Sequence, residues 1–203
     1  MRVATPTQKT AEWLTARCGR ITASRMPDML NFLKAKKDQV PEEGAKRIAY
    51  RAELIAERLT AIPADHYVSK AMQFGTDYED DARRAYELKM ETMVDQTGFV
   101  LHPDLDYAGA SPDGLVGTDG GVEIKVPQTA THLSYLLADV VPEEYQAQMR
   151  FNMACCERYW WDFVSFDPRL PKPLQLFVKR LIHDETEDNA LCYHVTATEE
   201  RGL

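Results

Sequence analysis

The sequence is poor in cysteine and contains no long apolar run. No stretch reaches 18 consecutive apolar residues, so a helix that crosses a bilayer is excluded. The first residues, MRVATPTQKTAEW, lack the apolar core of a signal peptide. Four cysteines, at positions 18, 155, 156 and 192, show no metal-binding spacing. We therefore expect a cytoplasmic protein with reduced thiols and no membrane partner.

The net charge of −8 is divided unevenly along the chain. Residues 1–60 hold 12 Lys/Arg against 7 Asp/Glu, and the remaining 143 residues hold 12 against 25. This asymmetry is typical of a basic N-terminal face joined to an acidic remainder. A nucleic-acid partner is compatible with such a distribution but is not demonstrated by it.

Periodicity and breaker residues predict an α/β fold in which one mixed central sheet is flanked by helices. With 44% hydrophobic residues over 203 positions, the chain can form one domain with a sizeable core. Predicted helices cover a segment capped by Thr7 or Thr10, a segment from Ser24 through Met29, Leu30 and Phe32, and residues 41–60, 69–91, 129–139, 143–156 and about 189–194. Predicted strands cover residues 98–102, 107–110, 122–126, 159–166 and 174–180.

The stretch SPDGLVGTDGGVEIK, residues 111–125, carries the strongest chemical pattern. Alternation in residues 122–126 predicts a half-buried strand with Glu123 and Lys125 on one face. Pro112 interrupts regular pairing, and the glycines that follow allow a tight return that brings Asp113 beside Glu123. Two carboxylates and a lysine form a plausible Mg²⁺ site, since this ion binds through one or two carboxylates plus substrate phosphate. A solvated cross-strand ion pair is the alternative interpretation.

Other polar positions are ambiguous from their pattern alone. Arg17, Arg20 and Arg25 lie near a helix that Ser24 is expected to cap, which could form an anion site. Ordinary capping with surface arginines is the interpretation that composition favours. Glu79 is predicted beside the apolar stripe of the 69–91 helix, where Met72 is among the expected buried residues. On the 143–156 helix, the residues at helical spacing are expected to be mostly core, with Gln148 as the polar exception; they are Tyr145, Gln148, Met149, Asn152 and Met153.

Several separated motifs together resemble the phage lambda exonuclease, or YqaJ-type viral recombinase, family over about residues 10–182. The motifs are W-X(3)-R-X-G-X-I-T-A-S (13–24), G-X(2)-Y-E-X-D-A-R (75–83), S-P-D-G-L (111–115), G-X-E-X-K-X-P (121–127), A-Q (147–148) and the F-D-P-R segment (166–169). The pattern P-D-X(9)-E-X-K at Pro112, Asp113, Glu123 and Lys125 is the signature of the restriction-endonuclease-like nuclease superfamily. The resemblance implies that fold, with a single nuclease domain over 1–203. Its expected parts are a basic helical part (1–68), a catalytic core (69–182) and an acidic C-terminal segment (183–203).

The same resemblance implies roles for individual residues. Asp113, Glu123 and the backbone carbonyl of Ile124 would hold the metal, and Lys125 would position or activate the attacking water. Glu79 and Gln148 would complete the catalytic site. Arg17, Ser24 and Ser111 would bind a 5′-phosphate, and Met72 would be an apolar wedge that separates the strands.

By resemblance, the activity is a Mg²⁺-dependent, processive 5′-to-3′ exonuclease on double-stranded DNA, with two ions expected and Mn²⁺ able to substitute. Such enzymes release mononucleotides and leave a 3′ single strand for recombination. The implied partners are DNA ends with a 5′-phosphate, two further copies of the chain in a trimeric ring, and a single-strand annealing protein. The alternatives are an endonuclease of the same superfamily and a catalytically inactive DNA-binding module.

Overall fold

A computed structural model of the protein describes residues 1–5, 7–34, 41–64 and 69–200. Its α-helices are α1 (Ala11–Arg17), α2 (Met26–Met29), α3 (Ala45–Thr60), α4 (Lys70–Met90), α5 (Thr129–Ala138), α6 (Glu143–Cys156) and α7 (Glu185–Glu200). Its strands are β1 (Arg2–Val3), β2 (Ile21–Thr22), β3 (Val94–Asp95), β4 (Val100–Leu101), β5 (Ala108–Ala110), β6 (Gly114–Val116), β7 (Gly120–Lys125), β8 (Trp160–Phe166) and β9 (Leu176–Ile182).

The mixed α/β architecture with flanking helices is confirmed, but the strands form two sheets rather than the single sheet that was predicted. The larger sheet has the order β3-β6-β7-β8-β9, and the smaller has the order β1-β4-β5-β2. Each contains one parallel pair, β7 with β8 and β2 with β5. The chain passes from the smaller sheet to the larger between Ala110 and Gly114. Pro112 lies in this passage, where it cannot donate a ladder hydrogen bond.

The centre of the larger sheet is the buried parallel pair β7–β8. Six of the seven residues of β8 are buried, as expected for a strand covered on both faces. The absence of a side chain at two glycines of β7 makes this packing possible. A Cβ atom at Gly120 would lie 2.0 Å from the Trp160 ring, and one at Gly121 would lie 2.3 Å from the Trp161 ring.

Two long helices sandwich this sheet, and they receive opposite faces of β7. On one face, Val122 and Ile124 pack in a cluster with Ala82 and Tyr86 of α4. On the other face, Glu123 meets the polar side chains of α6. The predicted alternation of β7 is therefore confirmed, and it directs Glu123 away from the apolar cluster.

The predicted helix capped by Ser24 is wrong in its start and its length. Residues Ala23–Arg25 form a 3₁₀ turn with Ser24 inside it, and α2 ends at Met29. Phe32, which was expected within this helix, instead forms an isolated bridge with Glu43. That bridge also explains why α3 starts at Ala45 rather than near Pro41.

The apolar stripe that the sequence predicts for residues 41–60 consists of Ile48, Leu54, Ile55 and Leu59, and it is confirmed at Leu54 but wrong at Ile48 and Leu59. Ile48 and Leu59 are 54% and 82% exposed, while the buried positions are Arg47, Tyr50, Leu54 and Glu57. The polar members of this set are tolerated because they have partners. Arg47 is paired with Glu43, and the Glu57 carboxylate accepts from the backbone N–H groups of Gly19 and Ala64. A hydrophobicity pattern cannot anticipate such satisfied polar burial.

The remaining differences concern element ends and one helix. Helix α7 is longer than the predicted segment at 189–194, and the strand predicted at 98–102 is regular only at β4. Residues 201–203 of the acidic segment lie outside the described residues. No helix among the described residues is both long enough and apolar enough to cross a membrane.

Candidate active site

The β6–β7 hairpin brings the two predicted metal-binding carboxylates together. Gly114 pairs with Val122 in an antiparallel register, so the residue before β6 lies beside the middle of β7. Asp113 occupies that position, and its Oδ2 accepts the backbone N–H of Ile124 at 2.6 Å. The predicted return of Asp113 to the strand that carries Glu123 is present in the structure.

Glu123 is 1% exposed and receives three hydrogen bonds from side chains. Its Oε1 accepts from Lys125 Nζ at 2.5 Å and from Gln148 Nε2 at 2.7 Å. Its Oε2 accepts from Asn152 Nδ2 at 3.1 Å. A buried carboxylate is costly unless it is satisfied in this way, so these three donors offset the cost of burying Glu123.

The electrostatics of the site show an excess of negative charge. Burial raises the pKa of Asp113 well above its ordinary value, and the charges of Glu123 and Glu79 raise it further. Burial lowers the pKa of Lys125, but Glu123 and Asp113 outweigh that effect, so its pKa is raised overall. Lys125 is therefore a protonated donor in this arrangement, and it offsets only part of the carboxylate charge.

Glu79 opens into the same cleft as Asp113 from helix α4. Its Oε2 lies 3.3 Å from Nζ of Lys9 rather than against a second carboxylate. Within the described residues, no group of three or more His, Cys, Asp or Glu side chains is gathered closely enough to hold a metal. Glu79 consequently borders the carboxylate pair and lies outside its immediate contacts.

The residues present nevertheless fit a divalent cation. Burial raises the pKa of Asp113, and the nearby charges of Glu123 and Glu79 raise it further, so a cation in this cleft would be attracted to the carboxylates. Mg²⁺ requires only one or two carboxylates because water and substrate phosphate complete its octahedron. Asp113 and Glu123 would supply these ligands, and the main-chain carbonyl of Ile124, between Glu123 and Lys125, stays a predicted third ligand. Such a cation would stabilise charge that develops on a phosphate.

A second cluster of polar side chains forms around Ser111, which lies two residues before Asp113. The hydroxyl of Ser111 accepts from Arg17 Nη1 at 2.8 Å and from Trp13 Nε1 at 2.9 Å. The Arg17 guanidinium also lies over the Trp13 ring, 4.4 Å from its centroid. Arg17 and Ser111, predicted to share a site, are therefore in direct contact.

Arg17 carries a charge that no acidic side chain neutralises directly. Burial lowers the pKa of its guanidinium, and no salt bridge to Arg17 is found among the described residues. Arg25, on the same cavity wall, is by contrast paired with Asp28 and Glu53. A partly buried cation that lacks a carboxylate partner favours an anionic ligand.

Ser24 and Met72 occupy different surroundings from those that were predicted. Ser24 is exposed, and its hydroxyl contacts only that of Thr22, at 3.4 Å, so the structure does not join it to Arg17. Thr22 lines the Arg17 cavity in its place. Met72 is 54% exposed in the first turn of α4, which corrects its expected burial. It borders the cleft that contains Asp113 and Lys125, as a wedge residue would.

Sequence reasoning missed two residues of α6 that contact this site. Asn152 donates to Glu123, and the ring centroid of Tyr145 lies 5.2 Å from Lys125 Nζ. Both were placed among the core residues of this helix. Their spacing from Gln148, three residues before it and four after, was the available signal, since such positions share one helix face.

Two residues of the N-terminal segment were missed as well, and no sequence pattern identified them. Gln8 Nε2 donates to the carbonyl of Thr97 at 3.0 Å and to that of Pro112 at 2.7 Å, which ties this segment to the strand before Asp113. Lys9 adopts a left-handed backbone with φ 62°, and its ammonium pairs with Glu79. The other non-glycine residues of positive φ are helix C-caps.

The mixed sheet and its helices have a nuclease fold, and they bring the carboxylate pair, the lysine and the glutamine together. The model of the YqaJ-like viral recombinase domain matches residues 12–159, and the chain belongs to that family. The family supports a nuclease that acts on DNA, and nucleases of this kind generally use divalent metals.

Solved structures agree with this assignment. The chain is similar to the alkaline exonuclease LHK-Exo from Laribacter hongkongensis, with 39% identity over 95% of this chain and 92% of that one, and a TM-score of 0.83. The same exonuclease solved in complex with dAMP gives a TM-score of 0.85 at the same identity and coverage. A phage-related exonuclease from Haemophilus somnus 129PT shares the fold, with a TM-score of 0.67 and 14% identity over 89% of this chain and 92% of that one. No curated protein gives a significant match.

Proposed function

We propose that the protein is a Mg²⁺-dependent, processive 5′-to-3′ exonuclease that degrades one strand of double-stranded DNA from a 5′-phosphorylated end. The observation that carries this proposal is the position of Ser111. Its hydroxyl accepts from Arg17, a cation with no acidic partner among the described residues, and it lies two residues before Asp113. A phosphate held by Arg17 would therefore belong to the strand whose next phosphodiester reaches the carboxylates.

Asp113 and Glu123 would hold the divalent cation, with the carbonyl of Ile124 as a further ligand. Two ions are expected, with Mn²⁺ able to substitute, and they would stabilise the attacking and leaving oxygens of the phosphodiester. Lys125 and Gln148 both donate to Glu123 Oε1, so they fix this carboxylate, and Lys125 also lines the cleft. Lys125 would then orient the attacking water, and Glu79 would accept a hydrogen bond from it.

The polarity of degradation would come from the phosphate pocket. Each cleavage leaves a new 5′-phosphate on the remaining strand, and the pocket of Arg17 and Ser111 would bind it again. By the family resemblance alone, Ser24 stays a predicted further donor to the same phosphate. This repeated capture of the product end supports processive digestion, because the enzyme binds the end that it has just produced.

Further parts of the proposal rest on the family and on its solved relatives. Met72, exposed beside the carboxylates, would insert at the terminal base pair and separate the strands. A complex of the similar alkaline exonuclease with dAMP supports release of mononucleotides. We also propose a trimeric ring, a single-strand annealing protein that receives the 3′ strand, and action in the cytoplasm.

Digestion of linear duplex DNA tests this function directly. One strand is labelled at its 3′ end or internally, each duplex carries a 5′-phosphate or a 5′-hydroxyl, and reactions contain Mg²⁺ or EDTA. We expect loss of the 5′-phosphorylated strand in Mg²⁺ only, with slower loss of the 5′-hydroxyl strand. Cleavage of covalently closed circular DNA would instead identify an endonuclease. DNA binding without cleavage under all conditions would identify a binding module.

A further inference from the structure

Asn152 is a buried amide whose orientation is fixed by the active-site carboxylate. It is 1% exposed on α6, and its Nδ2 donates to Glu123 Oε2 at 3.1 Å. The reverse orientation would place its Oδ1 against a carboxylate oxygen, and two acceptors do not bond. Its Oδ1 has no hydrogen-bond partner among the described residues. Within the described residues, Glu123 is thus the only hydrogen-bond partner of the Asn152 side chain.

The helix that carries Asn152 holds it rigidly relative to Glu123. Asn152 and Gln148 are four residues apart, so they lie on one face of α6. Their amides donate to different oxygens of the same carboxylate. Between and beside them, Met149, Phe151 and Met153 are fully buried or nearly so, which prevents the helix from rotating or sliding.

The two oxygens of Glu123 differ in the acceptor capacity that remains. A carboxylate oxygen has two lone-pair sites. Oε1 accepts from both Lys125 and Gln148, so both of its sites are used. Oε2 accepts from Asn152 alone, so one site remains there. A further ligand of Glu123 therefore meets Oε2, in a direction that the Asn152 bond selects.

We propose that Asn152 is a positioning residue that presents Oε2 of Glu123 to the divalent cation and thereby sets the affinity of the site for metal. This inference rests on the proposed function. Groups that orient a metal ligand typically change metal affinity by about 10- to 100-fold when they are removed. A purely structural role explains the residue less well, because an unpartnered buried amide oxygen weakens the core relative to an apolar side chain.

The test measures binding of Mn²⁺ and Mg²⁺ to the metal-free chain by isothermal titration calorimetry, without DNA. The variants are Asn152→Ala and the smaller change Asn152→Ser, which still carries a hydroxyl. Gln146→Ala is the matched control, because Gln146 lies on the same helix but donates to the carbonyl of Val141. In parallel, affinity for a 5′-phosphorylated duplex is measured in EDTA.

We expect the Kd for Mn²⁺ to rise about 10- to 100-fold in Asn152→Ala. A smaller rise is expected in Asn152→Ser, whose hydroxyl can restore part of the bond to Oε2. The control and the DNA affinity in EDTA should be unchanged. If Asn152→Ala does not fold, the Kd of Asn152→Ser decides the question by the same criterion.

A Kd for Mn²⁺ equal to that of the wild type in a folded Asn152 variant would overturn the inference and leave the proposed function standing. An equal loss of DNA affinity in EDTA would also overturn it, since it would indicate general disruption of the fold. If the wild type binds no divalent cation, or if Glu123→Gln binds it equally well, the proposed metal site itself fails.

Discussion

Asp113 is placed where it weakens the metal-free protein, so replacing it should stabilise the fold while it abolishes activity. Its pKa is raised by burial and by the charges of Glu123 and Glu79, against which Lys125 acts only in part. Asparagine has the same shape, and its amide oxygen can still accept the Ile124 N–H. Asp113→Asn therefore removes the repulsion and keeps the hydrogen bond.

The expected gain is about 1–2 kcal/mol, the range found when a strained functional group is relieved. For a chain of this size, that corresponds to a rise in Tm of roughly 2–8 °C. The direction in which folding stability changes with pH follows from proton linkage. The folded chain keeps the Asp113 proton to a higher pH than the unfolded chain, so between the two pKa values the folded state binds more protons. Metal-free wild-type stability should fall as pH rises through that window, and the variant should lose this dependence.

Calorimetry or circular dichroism melts in EDTA across the acid-to-neutral range provide the assay. Asp119→Asn is the control, because Asp119 is exposed in the turn of the same hairpin. Addition of Mn²⁺ should raise the Tm of the wild type and leave that of Asp113→Asn unchanged. A variant that melts below the wild type in EDTA, or one that still cleaves DNA, would refute the reasoning.

Three further substitutions test other parts of the account. Arg17→Met should reduce the preference for 5′-phosphate over 5′-hydroxyl ends by roughly 10- to 100-fold, the value of a hydrogen bond to a charged group, in relative cleavage rates. Arg20→Met is the control, because the Arg20 guanidinium donates to main-chain carbonyls, and this variant should retain the preference for 5′-phosphate. If both variants show the same preference, Arg17 does not bind the 5′-phosphate. Met72→Ala should slow digestion of blunt duplexes roughly tenfold, as loss of a base contact does, and should spare ends with unpaired bases. Leu88→Ala on the same helix serves as control, and equal slowing on both substrates would argue against a wedge. Arg180→Met should cost about 1–3 kcal/mol in urea melts, because Asp162, 1% exposed, would lose bonds of 2.7 and 2.8 Å. Lys179→Met should be near neutral, and equal losses in the two variants would count against a stabilising Asp162–Arg180 pair.

The sequence predicts the centre of the site well because its parts are local. Asp113 and Glu123 are ten residues apart, and a proline, several glycines and a period-two strand determine how they meet. The face of α6 that carries Gln148 follows from helical spacing in the same way. Physical rules that act over a few residues were sufficient for both.

Contacts between segments that are distant in sequence do not follow from these local rules. Arg17 and Ser111 are 94 residues apart, and composition favoured ordinary surface arginines until the family resemblance was considered. The contact of Lys9 with Glu79 depends on a left-handed residue in a non-helical segment, for which a lysine gives no local signal. The second sheet depends on β1 and β2, each two residues long, which no periodicity can reveal.

Buried polar residues were the other source of error. The inward face of α3 carries Arg47 and Glu57, so the apolar residues Ile48 and Leu59 were assigned to the wrong side. Asn152 is buried as helical spacing predicts, but that spacing does not reveal that its amide bonds to Glu123. Partners that are distant in sequence, Gly19 for Glu57 and Glu123 for Asn152, allow these polar side chains to be buried.

The central claim is that the Asp113–Glu123 site cleaves the first phosphodiester of a 5′-phosphorylated strand. The most direct test is a single-turnover reaction on a linear duplex that carries a radioactive 5′-phosphate, with Mg²⁺, for the wild type and Glu123→Gln. The account predicts that the wild type releases the label as a mononucleotide and that the variant, or EDTA, prevents release. Release of the label as inorganic phosphate or within an oligonucleotide, or undiminished release by Glu123→Gln, would contradict it.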